Sequence, residues 1–272
     1  MNWRAIRAII AKDLRQVRQN RLVWLPMVIV PAILQVVVPL ATVMLPALAG
    51  PSEFEGEDMT ALYRALPADL AALMASLSGV QQWVYMSANY LFAPLFLVVP
   101  LMIASILAAD SFAGEKERRT LESLLYTPTT DEELFVAKVL GAMVPSQVIG
   151  LASFVVYGLT VNLAGQRIMG RVFFPATMWW PLVLWLGPAM ALLGLGATVL
   201  ISSKVSTFMQ AQQIGGLLVL PLVGLMIAQM SGVLFMSPTL ILILGLAAWA
   251  IGAWLVWIGA RTFARGEIIA RI

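Results

Sequence analysis

Of the 272 residues in this chain, 61% are hydrophobic and only 11% charged. Soluble domains run nearer about 45–50% and 25%, so lipid rather than water is the natural solvent for so much apolar surface. The absence of Cys and His excludes disulfides, thiolate and imidazole metal sites, and the commonest general base.

In chain order, the first element is residues 1–21. Trp3, Ile6, Ile10, Leu14 and Val17 recur there at helical spacing, and basic residues fill much of the remainder. The pattern predicts an amphipathic helix lying in the membrane interface. A basic flank that only fixes topology is the simpler reading, and the two are compatible. Because the apolar stripe leads directly into a span, no nucleic-acid partner is expected.

A helix needs about 20 apolar residues to cross a bilayer. Six stretches qualify, at 22–45, 91–109, 134–163, 177–201, 211–235 and 238–260. The first is too long for the apolar region of a signal peptide and reads as an uncleaved span. The last two adjoin, with breaks at 230–232 and at Ser237-Pro238; a re-entrant hairpin is the alternative. The expected fold is therefore an all-α integral membrane protein, with a six-span domain over 22–260 and a cytoplasmic tail at 261–272.

Between the first two spans, the loop at 46–90 carries Glu53, Glu55, Glu57, Asp58 and Asp69. Leu62, Leu66, Leu70, Leu73 and Leu77 recur at helical steps, predicting a short amphipathic helix that Pro67 either starts or kinks. That helix would pack on the outer leaflet or its neighbours, or cap a pathway mouth. Residues 77–82, LSGVQQ, look like the signature of ABC ATPases. Val80 stands where a second glycine belongs, and no GxxxxGK[ST] loop occurs in the chain. The likeness reads as coincidence, and the chain is not expected to hydrolyse ATP.

Orientation follows from Lys and Arg. Arg4, Arg7, Lys12, Arg15, Arg18 and Arg21 precede the first span; Lys116, Arg118, Arg119 and Lys138 lie between the second and third. Lys204 and then Arg261, Arg265 and Arg271 fall on the same side, against Arg64, Arg167 and Arg171 on the other. Both termini and segment 110–133 are thus expected in the cytoplasm, in a multi-pass protein of the cytoplasmic (inner) membrane.

The charge concentrates in GEKERRTLESLLYTPTTDEE, residues 114–133. Residues 115–126 lack Pro and Gly and put Leu121, Leu124 and Leu125 on one helical face. Pro128 ends that helix. Thr130 and Glu133 have capping-box spacing for the next, and Asp131, Glu132 and Glu133 oppose its positive N-terminus. Mixed charge suits docking of a protein, whereas a lipid-binding helix carries mainly Lys and Arg.

Residues 110–140 resemble the cytoplasmic segment of ABC transporter permeases of the type 2 exporter family. The elements that carry the resemblance are Glu115, Arg118, Arg119, Thr120-Leu121-Glu122, Leu124-Leu125, Thr127-Pro128, Asp131-Glu132-Glu133 and Lys138. The family usually has a glycine just before the Thr, where this chain has Arg119. The resemblance implies a coupling helix docking in a groove of a separate ABC ATPase subunit. Glu115, Arg118, Arg119, Thr120, Leu121, Glu122 and Leu125 would be its contacts. It further implies two permease copies or homologues with two ATPases, and ATP and Mg on the partner with no cofactor in this chain.

Mid-span Asp, Glu, Lys and Arg are absent from the sequence pattern, which argues against an ion-driven secondary transporter, the main rival. A membrane-embedded enzyme is a third class, disfavoured by the lack of His, Cys and a clustered acid pair. Gln35, Gln147, Asn162, Gln213 and Gln229 are candidates for lining a pathway; ordinary inter-helix hydrogen bonding is the alternative for each. Prolines at 26, 31, 39, 94, 100, 145, 181, 188 and 221 lie within the predicted spans.

Overall fold

The structure, a computed structural model, describes residues 2–50, 66–118, 120, 130–231 and 234–262. Among the described residues the fold is all helical. α1 (Trp3–Gln19) is followed by α2 (Arg21–Pro46), α3 (Ala68–Ala75) and α4 (Gly79–Glu117). Then come α5 (Asp131–Met169), α6 (Trp179–Lys204), α7 (Phe208–Met230) and α8 (Pro238–Thr262). All but α1 and α3 are long and apolar enough to cross a membrane.

Local chemistry sets the boundaries. Asn2 caps α1 by accepting from the Arg4 and Ala5 amides, and Asn20 alone separates α1 from α2 while capping the latter. Thr130 and Glu133 form the expected capping box at the start of α5, and Gly170 ends that helix in the left-handed region at φ 65°. Pro67 starts α3 rather than kinking it, and Leu66, Leu70 and Met74 are buried there; Leu62 lies outside the described residues. The LSGVQQ motif has a structural role. Ser78 and Gln81 make the capping box of α4, and the Gln81 amide also donates to the Ile168 carbonyl at the end of α5.

That cap moves one boundary a long way. The second span, expected at 91–109 after a loop reaching residue 90, is the inner part of a helix running from Gly79 to Glu117. Polar Gln81, Gln82, Ser87 and Asn89 hide its first turns from a hydropathy reading. α7 and α8 are separate helices, ending at Met230 and starting at Pro238.

α4 is the axis of the fold. Its apolar window is 83% buried, against 17% for α7 and 22% for α2 and α8. Phe96, Leu97, Leu101, Ile103, Ile106 and Leu107 give it a core on all sides, and α2, α5, α6 and α7 pack around it. The outer helices turn large apolar side chains outward, among them Val148, Leu163, Leu220 and Leu246. That arrangement suits lipid contact rather than water.

Four helices are not regular. π-helical turns occur at Ile33–Val37, Ser87–Leu91, Asp110–Gly114 and Leu182–Leu186, and a 3₁₀ turn at Leu217–Val219. Four of these five precede a proline within the first two positions of the next helical segment: Pro39, Pro94, Pro188 and Pro221. A proline ring lacks the donor and crowds the carbonyl four residues back, so the preceding turn widens or tightens to accommodate it. Asp110–Gly114 has no such proline, and its cause lies in the charge cluster described below.

At the end of the bundle opposite α1, the buried Asn89 and the half-buried Asn162 hold the α5–α6 connection. Asn162 Oδ1 accepts from the Phe173 and Phe174 amides, and its Nδ2 donates to the Phe174 carbonyl. Asn89 Oδ1 accepts from Ala176 N, and Trp179 Nε1 donates to the Asn89 carbonyl. Phe96, Phe154, Tyr157, Phe174 and Trp179 pack face and edge beside them.

α6 and α8 cross at glycines. A Cβ on Gly252 would stand 2.9 Å from the Leu193 amide nitrogen, and one on Gly196 would stand 3.0 Å from the Gly252 carbonyl. Neither neighbour is a flexible side chain, so the helices must separate to admit a larger residue. Gly252→Val should therefore lower stability by about 1–3 kcal/mol. Thermal unfolding in detergent checks this, with Gly224→Val, at a glycine with open space around it, as the near-neutral control.

Candidate functional site at the base of the charged segment

The charged segment leaves the bundle from the C-terminal end of α4 and returns at the start of α5. Residues 119 and 121–129 lie outside the described residues, so Arg119, Leu121, Glu122 and Leu125 have no structural placement. The base of the segment is described, and it is built from three helices.

Glu115 is fully buried, and both carboxylate oxygens are engaged. Oε1 lies 2.5 Å from Lys12 Nζ on α1, and Oε2 lies 2.6 Å from Lys138 Nζ on α5. Lys138, also fully buried, donates in addition to the Ser111 carbonyl at 2.6 Å and lies over the Phe112 ring. Asp13 approaches Lys12 at 3.2 Å, and its other oxygen accepts from the Ser111 hydroxyl. Beside this group, Arg118 pairs with Asp110 at 3.0 Å and donates to the Asp110 carbonyl, while Gln16 from α1 also donates to Asp110. Three cations thus face three carboxylates.

The π turn at Asp110–Gly114 makes this convergence possible. One extra residue in the turn rotates the chain, so that Asp110, Ser111 and Glu115 all point into the cluster. Gly114 is needed in the same place. A Cβ there would meet Arg118 Nη2 and Asp110 Oδ1 at 3.0 Å, in the path of the pair that crosses it. Beyond the turn, Thr120 N and its hydroxyl donate to the Glu115 carbonyl. Glu117 caps α7 by accepting from Phe208 N at 2.9 Å, and Lys116 donates to the Val205 carbonyl. The last turn of α4 therefore touches α1, α5, α6 and α7 together.

Of the expected docking residues, Glu115 is corrected in one respect: its side chain faces inward and is unavailable at the surface. Arg118 is partly exposed and Thr120 exposed. The candidate pathway residues do not form one group. Gln35 is buried in the π turn of α2, and Gln229 is buried on α7; neither Gln35 Nε2 nor either Gln229 amide atom has a hydrogen-bond partner among the described residues. Gln147 Nε2 is likewise without one, Gln213 is exposed on α7, and both ends of the Asn162 amide are engaged in holding the loop after Gly170.

Lys12, Asp13 and Asp110 were not legible as site residues. The available signal was Asp13 itself, an acid on the same face as Ile6, Ile9 and Val17, all four buried together. The expected apolar stripe of α1 is accordingly rotated: Trp3 and Leu14 are exposed, because α5 rather than lipid covers the other side.

Electrostatics follow from this packing. Burial lowers the affinity of Lys12 for its proton, but the Glu115 carboxylate outweighs this, with Asp13 adding to it, and its pKa is raised above the ordinary 10.5. Asp13 is raised above the ordinary carboxylate range, mainly by burial, against the opposing charge of Lys138.

The family profile described as ABC-2 family transporter protein matches residues 7–255, from within α1 into α8. The chain belongs to the ABC-2 transporter family. Neither a curated protein nor a solved structure matches it. Membership makes the chain the membrane-spanning permease subunit of an ABC transporter, rather than its ATPase. The six apolar helices make it a multi-pass membrane protein.

Two outcomes follow for the cluster. Glu115→Ala strands the buried Lys138 ammonium and should cost on the order of 3–5 kcal/mol. Adding Lys138→Met should recover part of this loss; a double-mutant cycle of detergent unfolding that came out additive would show that the two side chains do not act as a pair. For Lys12, a folded pKa above the unfolded value means that its contribution is complete below pH 10.5 and fades as pH rises through the folded value. The unfolding-temperature gap between wild type and Lys12→Met should accordingly narrow above pH 10.5.

Proposed function

We propose that this ABC-2 permease is an exporter driven by a separate ABC ATPase subunit, and that segment 110–133 is the element the ATPase grips. The observation that supports this most is the ion cluster at the base of the segment. A displacement delivered to residues 119–129 passes through Glu115 to α1 and α5, and through Glu117 to α7, while α4 carries it into the core. A connection between two spans needs none of these tethers.

In this reading Arg118, Arg119, Thr120, Leu121, Glu122 and Leu125 form the docking surface. Glu115 holds that surface to the bundle instead of touching the partner. ATP and Mg bind on the ATPase. The charged end of the bundle is cytoplasmic, both termini lie there, and the membrane is the inner membrane. Two permease copies or homologues pair, and the thinly covered α7, with Gln213 on its exposed side, suits a face between them. The buried carboxylates do not favour an ion-driven carrier. Asp110 and Glu115 sit in the last turns of α4 and Asp13 on α1, outside the spans, and all three face cations, whereas a coupling acid belongs on a route through the middle of the bilayer.

Co-purification tests the proposal. The tagged chain, expressed with the ATPase encoded nearest to it, should retain that ATPase, and Leu121→Asp with Glu122→Lys should release it while the permease stays folded. Retention by the double variant would place the docking surface elsewhere. A folded wild-type chain that retains no ATPase would count against the coupling role itself.

A further inference from the structure

We propose that the exposed face of α1 is a binding site for anionic phospholipid headgroups. Arg4, Arg7, Arg15 and Arg18 are all exposed and follow one another at steps that keep them on one side of the helix. None of the four makes an ion pair among the described residues. The one acid of α1, Asp13, is buried on the opposite side, and Lys12 is held by Glu115. The face is thus purely cationic and purely arginine. Guanidinium groups match phosphate with paired donors, where an ammonium offers only a point charge.

The position of this face selects a lipid occupant. Trp3 and Leu14 are exposed, with half-buried Ile10 between them, along the border between the buried side of α1 and its arginines. Asn20 alone joins α1 to the first span, so the helix lies where the chain enters the bilayer. An apolar border at acyl depth with arginines above it is the geometry of a headgroup-binding helix. The opposite side, with Ile6 and Ile9 against α5, already secures the helix to the protein. Its arginines are therefore not needed to hold it in place. Since Lys12 links the same helix to Glu115, headgroups held by α1 bear on the base of the charged segment. The lipid site itself rests only on the membrane location of the chain, and not on ATPase docking.

Native mass spectrometry of the full chain in detergent tests this, with phosphatidylglycerol and phosphatidylcholine of identical acyl chains as the probes. The wild type should retain phosphatidylglycerol preferentially. Each Arg→Gln change at 4, 7, 15 or 18 should lower that preference about fivefold, and the fourfold Gln variant should abolish it. The fourfold Arg→Lys variant keeps the charge and should retain most of it. If the Gln variant does not fold, a salt titration of the wild type decides, because headgroup pairing at an exposed face weakens as salt rises. Equal retention of the two lipids by wild type, a preference that survives in the Gln variant, or one that is indifferent to salt would each overturn the site. An ATPase lost from the Gln variant with its phosphatidylglycerol preference unchanged would also overturn it, and would assign the face to a protein partner.

Discussion

One carboxylate organises the charged end of this permease. Glu115 is held between two ammonium groups that come from different helices, Lys12 on α1 and Lys138 on α5. Removing a carboxylate from water is expensive, and Coulomb attraction offsets this only where geometry and further hydrogen bonds are good. Here they are supplied by the Ser111 carbonyl on Lys138 and by the neighbouring Asp13 on Lys12. The consequence is directional. An ion held at both oxygens adds a directional constraint to the apolar packing around it. The N-terminal helix, the exit of α4 and the entry of α5 are set relative to each other by this group, and the π turn at Asp110–Gly114 is the backbone adjustment that points it inward.

The two ends of the bundle are built on different chemistry. Opposite the charged end, Asn89 and Asn162 satisfy the backbone of the α5–α6 connection within a cluster of stacked aromatic rings. Those contacts are neutral, short-ranged and closed on themselves. At the charged end, α4 reaches α1, α5, α6 and α7 through side chains that extend from its last turns. Because α4 is buried along most of its length, its motion cannot be absorbed by lipid and must be shared with the helices around it. Under the coupling reading, force enters at the end where helices are joined by charge, and the opposite end provides the fixed reference.

The fold was largely legible in the sequence, since span number depends on runs of apolar residues that lipid imposes. The capping box of α5 was legible too, because Thr130 and Glu133 act locally. The start of α4 was not. Ser78 and Gln81 carry the same kind of cap, but Gln81, Gln82, Ser87 and Asn89 make the first turns polar; their partners, such as the Ile168 carbonyl and Ala176 amide, are far away in the chain. The site divides in the same way. Glu115 and Lys138 stood out as part of the family-like segment, yet the pairing of Glu115 with Lys12 over 103 positions left no local trace. Asn162, read as lining for a pathway, proved to be a loop staple because the loop's own amides needed an acceptor.

The rotation of α1 joins these threads. A free amphipathic helix would place Trp3, Ile6, Ile10, Leu14 and Val17 together in lipid. In the folded chain Ile6, Ile9, Asp13 and Val17 face the bundle, and the remaining apolar residues are left at the border of the arginine face. Asp13 and Lys12 account for the turn: neither is stable against acyl chains, and on the bundle side Lys12 meets Glu115 while Asp13 meets Lys138 and the Ser111 hydroxyl. The ion cluster therefore decides which side of α1 meets the protein, and by exclusion which side meets the membrane surface. The same interaction that anchors the charged segment also presents the arginines outward, so the two surfaces of the charged end are consequences of one buried carboxylate.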